Sequence, residues 1–195
     1  MKSVGNTEET GMSVTTAKWT LEDYHRMIQV GLLDDRQVEL LNGEIVEMSP
    51  EAEPHAYFRM ETKEYLIQLL GNRVAIREVA PITLSNSNSE PEPDLAIVQR
   101  LGREYLQHHP YPENIFWLIE FSSTSLTKDL EVKRQTYAQA NILEYWVRDL
   151  NHEQLIVFRE PVQGDYTSQF SLTAGEISPL AFPEVAVSVE KLLNG

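Results

Sequence analysis

The sequence predicts an α/β fold with a central mixed β-sheet flanked by helices, and three observations carry that reading. Asn42-Gly43 separates two apolar segments, and both residues tolerate the positive φ angles of a type I′ turn, so QVELLNGEIVEM is a β-hairpin. Ile115 to Phe121, IFWLIEF, is a continuous apolar run of the kind covered on both faces of a sheet. A helical segment then leads into ILEYWVRD, and strand, helix, strand at this length is a right-handed crossover between parallel strands.

The remaining elements follow in order. Residues 1–16 mix Gly, Ser, Thr, Asn and Glu without hydrophobic period and read as a disordered leader; residues 17–195 read as one domain. Thr20 caps a short helix, LEDYHRMIQVG, with acids in its first turn and Gly31 at its end. After the hairpin, His55 to Leu70 has helical length and good formers, stopped by Gly71-Asn72. RVAIREV and PITL read as short strands, SNSNSEPEP as turns, and PDLAIV as a strand behind two prolines. Gln99 to Asn114 is a polar interval with room for one helical turn, and it contains His108-His109, read as a solvated loop. The helix after IFWLIEF spans Lys128 to Gln139 and stops at Asn141, a residue suited to the left-handed conformation. ILEYWVRD, QLIVFRE and an edge strand at DYTSQF complete the sheet, and VEKLLNG forms a short C-terminal element.

Composition excludes several function classes. The chain has 195 residues, 42% of them hydrophobic, and no apolar run approaches the roughly 18 to 20 residues that span a bilayer. Its N-terminus lacks the apolar core of a signal peptide, and the absence of cysteine removes disulfides and thiolate metal sites, so a cytoplasmic location is expected. A formal charge of −14 argues against a general polyanion-binding surface, so phosphate chemistry must use local cations or metals. No phosphate-cradling glycine loop and no Ser-His-Asp signature is present.

Three polar residues sit where the pattern calls for apolar ones. Glu120 interrupts IFWLIEF on the face it shares, in a regular strand, with Phe116 and Leu118. A buried carboxylate must be paired, hydrogen-bonded or bound to a metal; the alternative is a strand end reached by water. Asp94 opens the PDLAIV strand in alternation with Ala96 and Val98, which suits a turn residue or a ligand. Two such acids at the ends of neighbouring strands can hold magnesium, which commonly takes one or two carboxylates plus waters and substrate phosphates. Lys133 falls inside the arc of about 80° that holds Leu126, Leu130, Tyr137 and Ala140 on the following helix. Either it forms an ordinary i,i+4 pair with Asp129, or it faces the two acids.

These residues resemble a known family. Pro93-Asp94 before an apolar strand, Ile119-Glu120 with Ser122, Asp129-Leu130 with Lys133, Tyr137-Ala138, Ala140, and Ile142 with Glu144-Tyr145-Trp146-Val147 are similar to the Uma-two family of restriction-endonuclease-like proteins, within the PD-(D/E)xK nuclease superfamily. The upstream hairpin ELLNGEIVEMSP and His55 fit the same pattern, and the resemblance covers about Trp19 to Phe158. It implies a restriction-endonuclease-like core preceded by an N-terminal helix and hairpin. It also implies that Asp94 and Glu120 bind Mg2+ or Mn2+ and that a lysine positions or activates water for attack on a phosphodiester. The usual superfamily lysine position is Ser122 here, and the resemblance assigns the cation to Lys133 on the next helix. Asn141 replaces a common glycine and Phe121 a common β-branched residue, and neither removes a ligand.

The expected activity is therefore a metal-dependent endonuclease acting on nucleic acid, DNA first, with a homodimer expected by analogy with enzymes that cut two strands. The accessory candidates are His55, Glu44, Ser122, Asp129 and Tyr137. The charge of −14 motivates the alternative, a catalytically inactive member of the fold acting as a binding or structural module.

Overall fold

The computed structural model describes residues 16–195, so the expected leader lies, except for Thr16, outside the described residues. Thr20 starts α1 (Leu21–Gln29) with a capping box: its hydroxyl accepts from the Asp23 amide at 3.1 Å while the Asp23 carboxylate accepts from the Thr20 amide at 3.2 Å. Beyond it the hairpin of β1 (Val38–Leu41) and β2 (Glu44–Glu47) turns at Asn42 and Gly43, with φ of 52° and 75° as the type I′ reading requires. Then comes α2 (Glu53–Leu70), two residues longer at its start than expected because Pro54 sits comfortably in the first turn.

Six strands form the central sheet: β3 (Ala75–Glu78), β4 (Leu95–Val98), β5 (Ile115–Ser122), β6 (Glu144–Asp149), β7 (Gln154–Val162) and β8 (Asp165–Leu172), in that spatial order. All neighbours are antiparallel except β5 and β6, which are parallel. That single parallel pair is the crossover expected from the sequence. The connecting helix has three parts: α3 (Leu126–Lys128), a π-helical turn at Asp129–Lys133, and α4 (Arg134–Gln139). Asn141, at φ 59°, ends it. A two-stranded ribbon, β9 (Glu176–Ile177) with β10 (Val187–Ser188), and α5 (Val189–Asn194) close the chain.

Two cores lie on opposite faces of the sheet. On one face α2 and α5 cover Leu95, Ile97, Trp117, Ile119 and Trp146; burying Leu66 and Leu70 of α2 contributes about 1.5–3 kcal/mol each. On the other, Tyr137, Ala138 and Ala140 cover Ala96, Leu118, Tyr145 and Val147. Every long strand in the middle is thus buried on both sides, which explains the unbroken apolar reading of IFWLIEF.

Two local expectations fail. PITL is not a strand: its amides bond to Pro91 O, Pro110 O and Ser89 O, three unrelated loop carbonyls, and it makes only an isolated bridge at Leu84. Phe116 does not share a face with Glu120. The β4–β5 register jumps from Ile97↔Trp117 to Val98↔Ile115, leaving Phe116 as the extra residue of a bulge that turns its ring toward the α2 side.

Candidate functional site

The site lies where β4 begins and β5 ends. Leu95 pairs with Ile119, and extending the antiparallel register by one residue sets Asp94 opposite Glu120 with both side chains on the α4 face. The Asp94 amide donates to Glu120 Oε2 at 3.3 Å, and Asp94 Oδ2 accepts from the Phe121 amide at 2.7 Å. The Glu120 carboxylate is thus held by the Asp94 amide, and the Asp94 carboxylate by the amide that follows Glu120. Glu120 Oε1 accepts from Lys133 Nζ at 2.9 Å and from the Tyr137 hydroxyl at 2.8 Å.

The π-helical turn sets which side chains α3 and α4 present. Both Asp129 and Lys133 are buried within it, at 2% and 3% exposure, and such turns recur at functional sites because they re-aim side chains out of the α-helical phase. Asp129 does not pair with Lys133 as an i,i+4 partner. Its Oδ2 accepts from Ser122 Oγ and Ser125 Oγ, both at 2.7 Å, so the serine standing where a superfamily lysine is expected instead pins the start of the helix.

Lys133 has a second partner that sequence reasoning missed. Glu39 of β1 is fully buried, with Oε2 at 3.4 Å from Lys133 Nζ and Oε1 at 2.9 Å from Lys128 Nζ. A signal was present: Glu39 interrupts the apolar run VELL just as Glu120 interrupts IFWLIEF. Glu44, the hairpin acid considered instead, is exposed and bonded to Lys18, away from the cleft. His55, near the start of α2, joins the site: Nε2 is 3.1 Å from Asp94 Oδ2 and Nδ1 is 2.7 Å from Glu51 Oε1. Its ring packs edge-on against Phe121, and Glu51 also bonds Arg59. Glu51, four residues before His55, is the other residue missed.

The electrostatics follow from this crowding. Burial pushes Glu120 up to about 8; Lys133 pulls against it while the charges of Asp94 and Asp129 add to it. Burial works against the Lys133 ammonium, but Glu120, Glu39, Asp129 and Asp94 outweigh it and hold Lys133 well above the ordinary lysine range. Burial likewise opposes ionisation of Asp94, yet His55, Lys133 and the Phe121 amide keep it below its usual value. His55 is raised to about 9, burial being outweighed by Asp94 and Glu51, so at neutral pH its imidazolium donates to both.

These groups open into a cleft of about 510 Å³ lined by Glu51, His55, Glu92, Asp94, Glu120 and Lys133, among others. Its donor set suits a hard divalent cation. Two carboxylates face one another, Asp94 Oδ1 carries no hydrogen bond among the described residues, and the repulsion from Asp94 that adds to the effect of burial on Glu120 is what a cation between them relieves. No group of three or more His, Asp or Glu residues is disposed to hold an ion among the described residues. The fit is therefore to a magnesium-type ion that keeps waters and substrate oxygens, and not to an all-protein cage.

No curated protein matches the sequence. Among solved structures, the chain is similar to a "putative nuclease belonging to DUF820" from Anabaena variabilis, with a TM-score of 0.71 at 16% identity, covering 89% of this chain and 97% of that one. At that identity the likeness establishes the fold. The family model of Uma2, described as "putative restriction endonuclease", matches residues 21–190, and the chain therefore belongs to the Uma2 (Uma-two) family.

Proposed function

We propose that the protein is a metal-dependent endonuclease that hydrolyses phosphodiester bonds in nucleic acid, DNA being the first substrate to test. The observation that carries this reading is the convergence of Asp94, Glu120 and Lys133 at one end of the sheet, with Glu120 bonded to Lys133 and set against Asp94. Asp94 and Glu120 would hold Mg2+ or Mn2+. When bound, such an ion supplies Lewis-acid polarisation of a phosphoryl oxygen and acidifies an attacking water.

The chain's own residues have distinct tasks. Lys133 keeps a full positive charge inside the site, beside the place where a phosphorane-like transition state would gather negative charge, and its burial makes that charge worth more than it would be in water. Glu39 is a second partner for Lys133 beside Glu120, so the ammonium keeps a partner whenever Glu120 turns to another ligand. His55 and the Phe121 amide fix Asp94 Oδ2, leaving Oδ1 to face the cleft. A two-fold dimer would place two such sites on opposite strands of a duplex.

Purified protein is expected to cut DNA in Mg2+ or Mn2+ and not in a chelator, and Glu120→Gln or Lys133→Ala should lower the rate by at least about 100-fold at equal folding. Full activity in both variants would overturn the mechanism. A second reading, an inactive member of the fold that serves as a binding module, is favoured by one observation: Arg59, Lys128 and Lys133, which line the cleft, are all bonded to carboxylates. Absence of divalent-cation binding by calorimetry, with no cleavage of DNA or RNA, would select it.

A further inference from the structure

An acidic protein that acts on a polyanion needs somewhere to hold its substrate, and the cleft offers no unpaired cation among its described residues. Most surface cations are likewise matched: Lys18 with Glu44, Arg26 with Glu22, Arg36 with Glu47 and Arg73 with Glu184. Lys191, over the Tyr65 ring, and buried Arg148, bonded to the Asp149 and Leu193 carbonyls, have no acid partner among the described residues, and Arg77, Arg100 and Arg103 share that lack but cluster in one place. None forms a salt bridge among the described residues, and all three lie on or beside the edge strand β3 and the segment 99–114 that flanks it.

Arg77 is the most telling. It is half-buried, its Nε has no hydrogen-bond partner, and its guanidinium rests over the Tyr105 ring at 5.6 Å, with Nη2 3.5 Å from His109 Nδ1. A partly desolvated guanidinium without an anion is costly unless a ligand supplies one. Aromatic rings continue the surface. Tyr105 meets His108 edge-on at 5.9 Å, and His108 stacks on Tyr111 at 4.6 Å and 14°. Tyr111 also walls a hollow of about 370 Å³ whose other groups include the Asn86 amide and the Ser85 hydroxyl, donors and acceptors suited to a base edge. The nearby acids are Glu104, 3.6 Å from His108 Nε2, and Glu113 at the rim of the hollow, both exposed and screened, and Glu90, buried near His109 and bonded to Thr83 and His25.

The strip is joined to the cleft. Arg77 pairs with Ala96, two residues beyond Asp94, and Val79, two residues past Arg77 and just beyond the end of β3, lines the cleft itself. At the far end Arg100 Nη1 donates to Asn72 Oδ1 at 2.7 Å, just before β3. We propose that this strip binds an unpaired stretch of nucleic acid flanking the scissile bond, with the three arginines on phosphates and the Tyr111 ring, which walls the hollow, against a base. The inference rests on the nuclease reading for the identity of the polymer. A single strand fits better than a duplex, since only unstacked bases can cover ring faces, and its lower charge density suits a surface with three arginines on a chain of charge −14.

The test is fluorescence anisotropy of a labelled DNA single strand and of the matching duplex, with calcium replacing magnesium to suppress cleavage, on wild type, R100E/R103E and a control reversal, Arg26→Glu, with cleavage in Mg2+ or Mn2+ assayed in parallel. Wild type should prefer the single strand. R100E/R103E should weaken that binding at least about tenfold and flatten its salt dependence by about 0.7 in slope per lost phosphate contact. Arg26→Glu should bind like wild type, and wild-type protein that binds the strand yet does not cut it in Mg2+ or Mn2+ would count against the nuclease reading while supporting the strip. Wild-type protein that fails to bind the strand, or equal binding by R100E/R103E, overturns the proposal.

Discussion

Glu120 and Glu144 are both glutamates of central strands, buried to 3% and 0% exposure, and both sit inside apolar runs that the sequence reads alike. Their surroundings differ. Glu144 Oε1 accepts from Arg159 Nε at 2.8 Å, Arg159 Nη2 at 2.6 Å and the Trp146 indole at 2.8 Å, while Oε2 accepts from the Leu180 amide at 2.7 Å. Four donors satisfy one acid, and the result ties the C-terminal segment to the sheet. Glu120 shares its lysine with Glu39, faces Asp94, and opens into a cleft. A buried acid is thus no evidence of chemistry by itself. What separates the two is the company of other acids, which leaves charge for a cation to neutralise.

The comparison can be broken by variants at either acid. The largest expected effect is at the structural one: Arg159→Ala strands Glu144 without its guanidinium and should cost about 3–5 kcal/mol in denaturant unfolding, while Mn2+ affinity of the folded protein stays unchanged. The reverse pattern is expected at the cleft. Asp94→Asn should reduce Mn2+ affinity by about 100-fold or more in calorimetry, at least what losing a supporting hydrogen bond to a ligand typically costs. If Arg159→Ala impaired metal binding as much, the distinction between the two acids would collapse.

A smaller effect sharpens the role of Glu39. Burial opposes its ionisation, but Lys133 and Lys128 outweigh burial and lower its pKa below the ordinary 4.5. A lowered carboxylate contributes stability that is complete above the unfolded-state value and is lost as pH falls through the lower folded-state value. Glu39→Gln should therefore be about 1–3 kcal/mol less stable than wild type at neutral pH, with the gap closing on acidification below about pH 4.5, measured by urea melts across that range. The smallest effect is expected at Glu44→Gln, within about 0.5 kcal/mol and with no change in metal affinity, because that acid pairs with Lys18 in solvent.

Much of this was legible from local chemistry. Asn42-Gly43 and Asn141 adopt the left-handed backbone their residue types allow, and the crossover from β5 to β6 follows from the length between two apolar runs. Asp94, Glu120 and Lys133 could be picked out because each violates the pattern of its own element. Glu39 violates its pattern too, yet its partners Lys128 and Lys133 come 89 and 94 residues later, and a pairing so distant leaves no trace in spacing. The bulge at Phe116 and the π-helical turn were hidden for a different reason. Each inserts one residue into a regular period, and the sequence carries the period but not the interruption. PITL failed because β propensity cannot supply a neighbouring strand to pair with.

The central claim is that Asp94 and Glu120 form a divalent-cation site from which Lys133 can be released to Glu39. Anomalous diffraction from crystals soaked in Mn2+ tests it most directly. A peak within coordination distance of Asp94 Oδ1 and a Glu120 oxygen is expected, with Lys133 Nζ retained by Glu39 Oε2. A peak elsewhere, or none while Glu120 stays bonded to Lys133 and Tyr137, would contradict it.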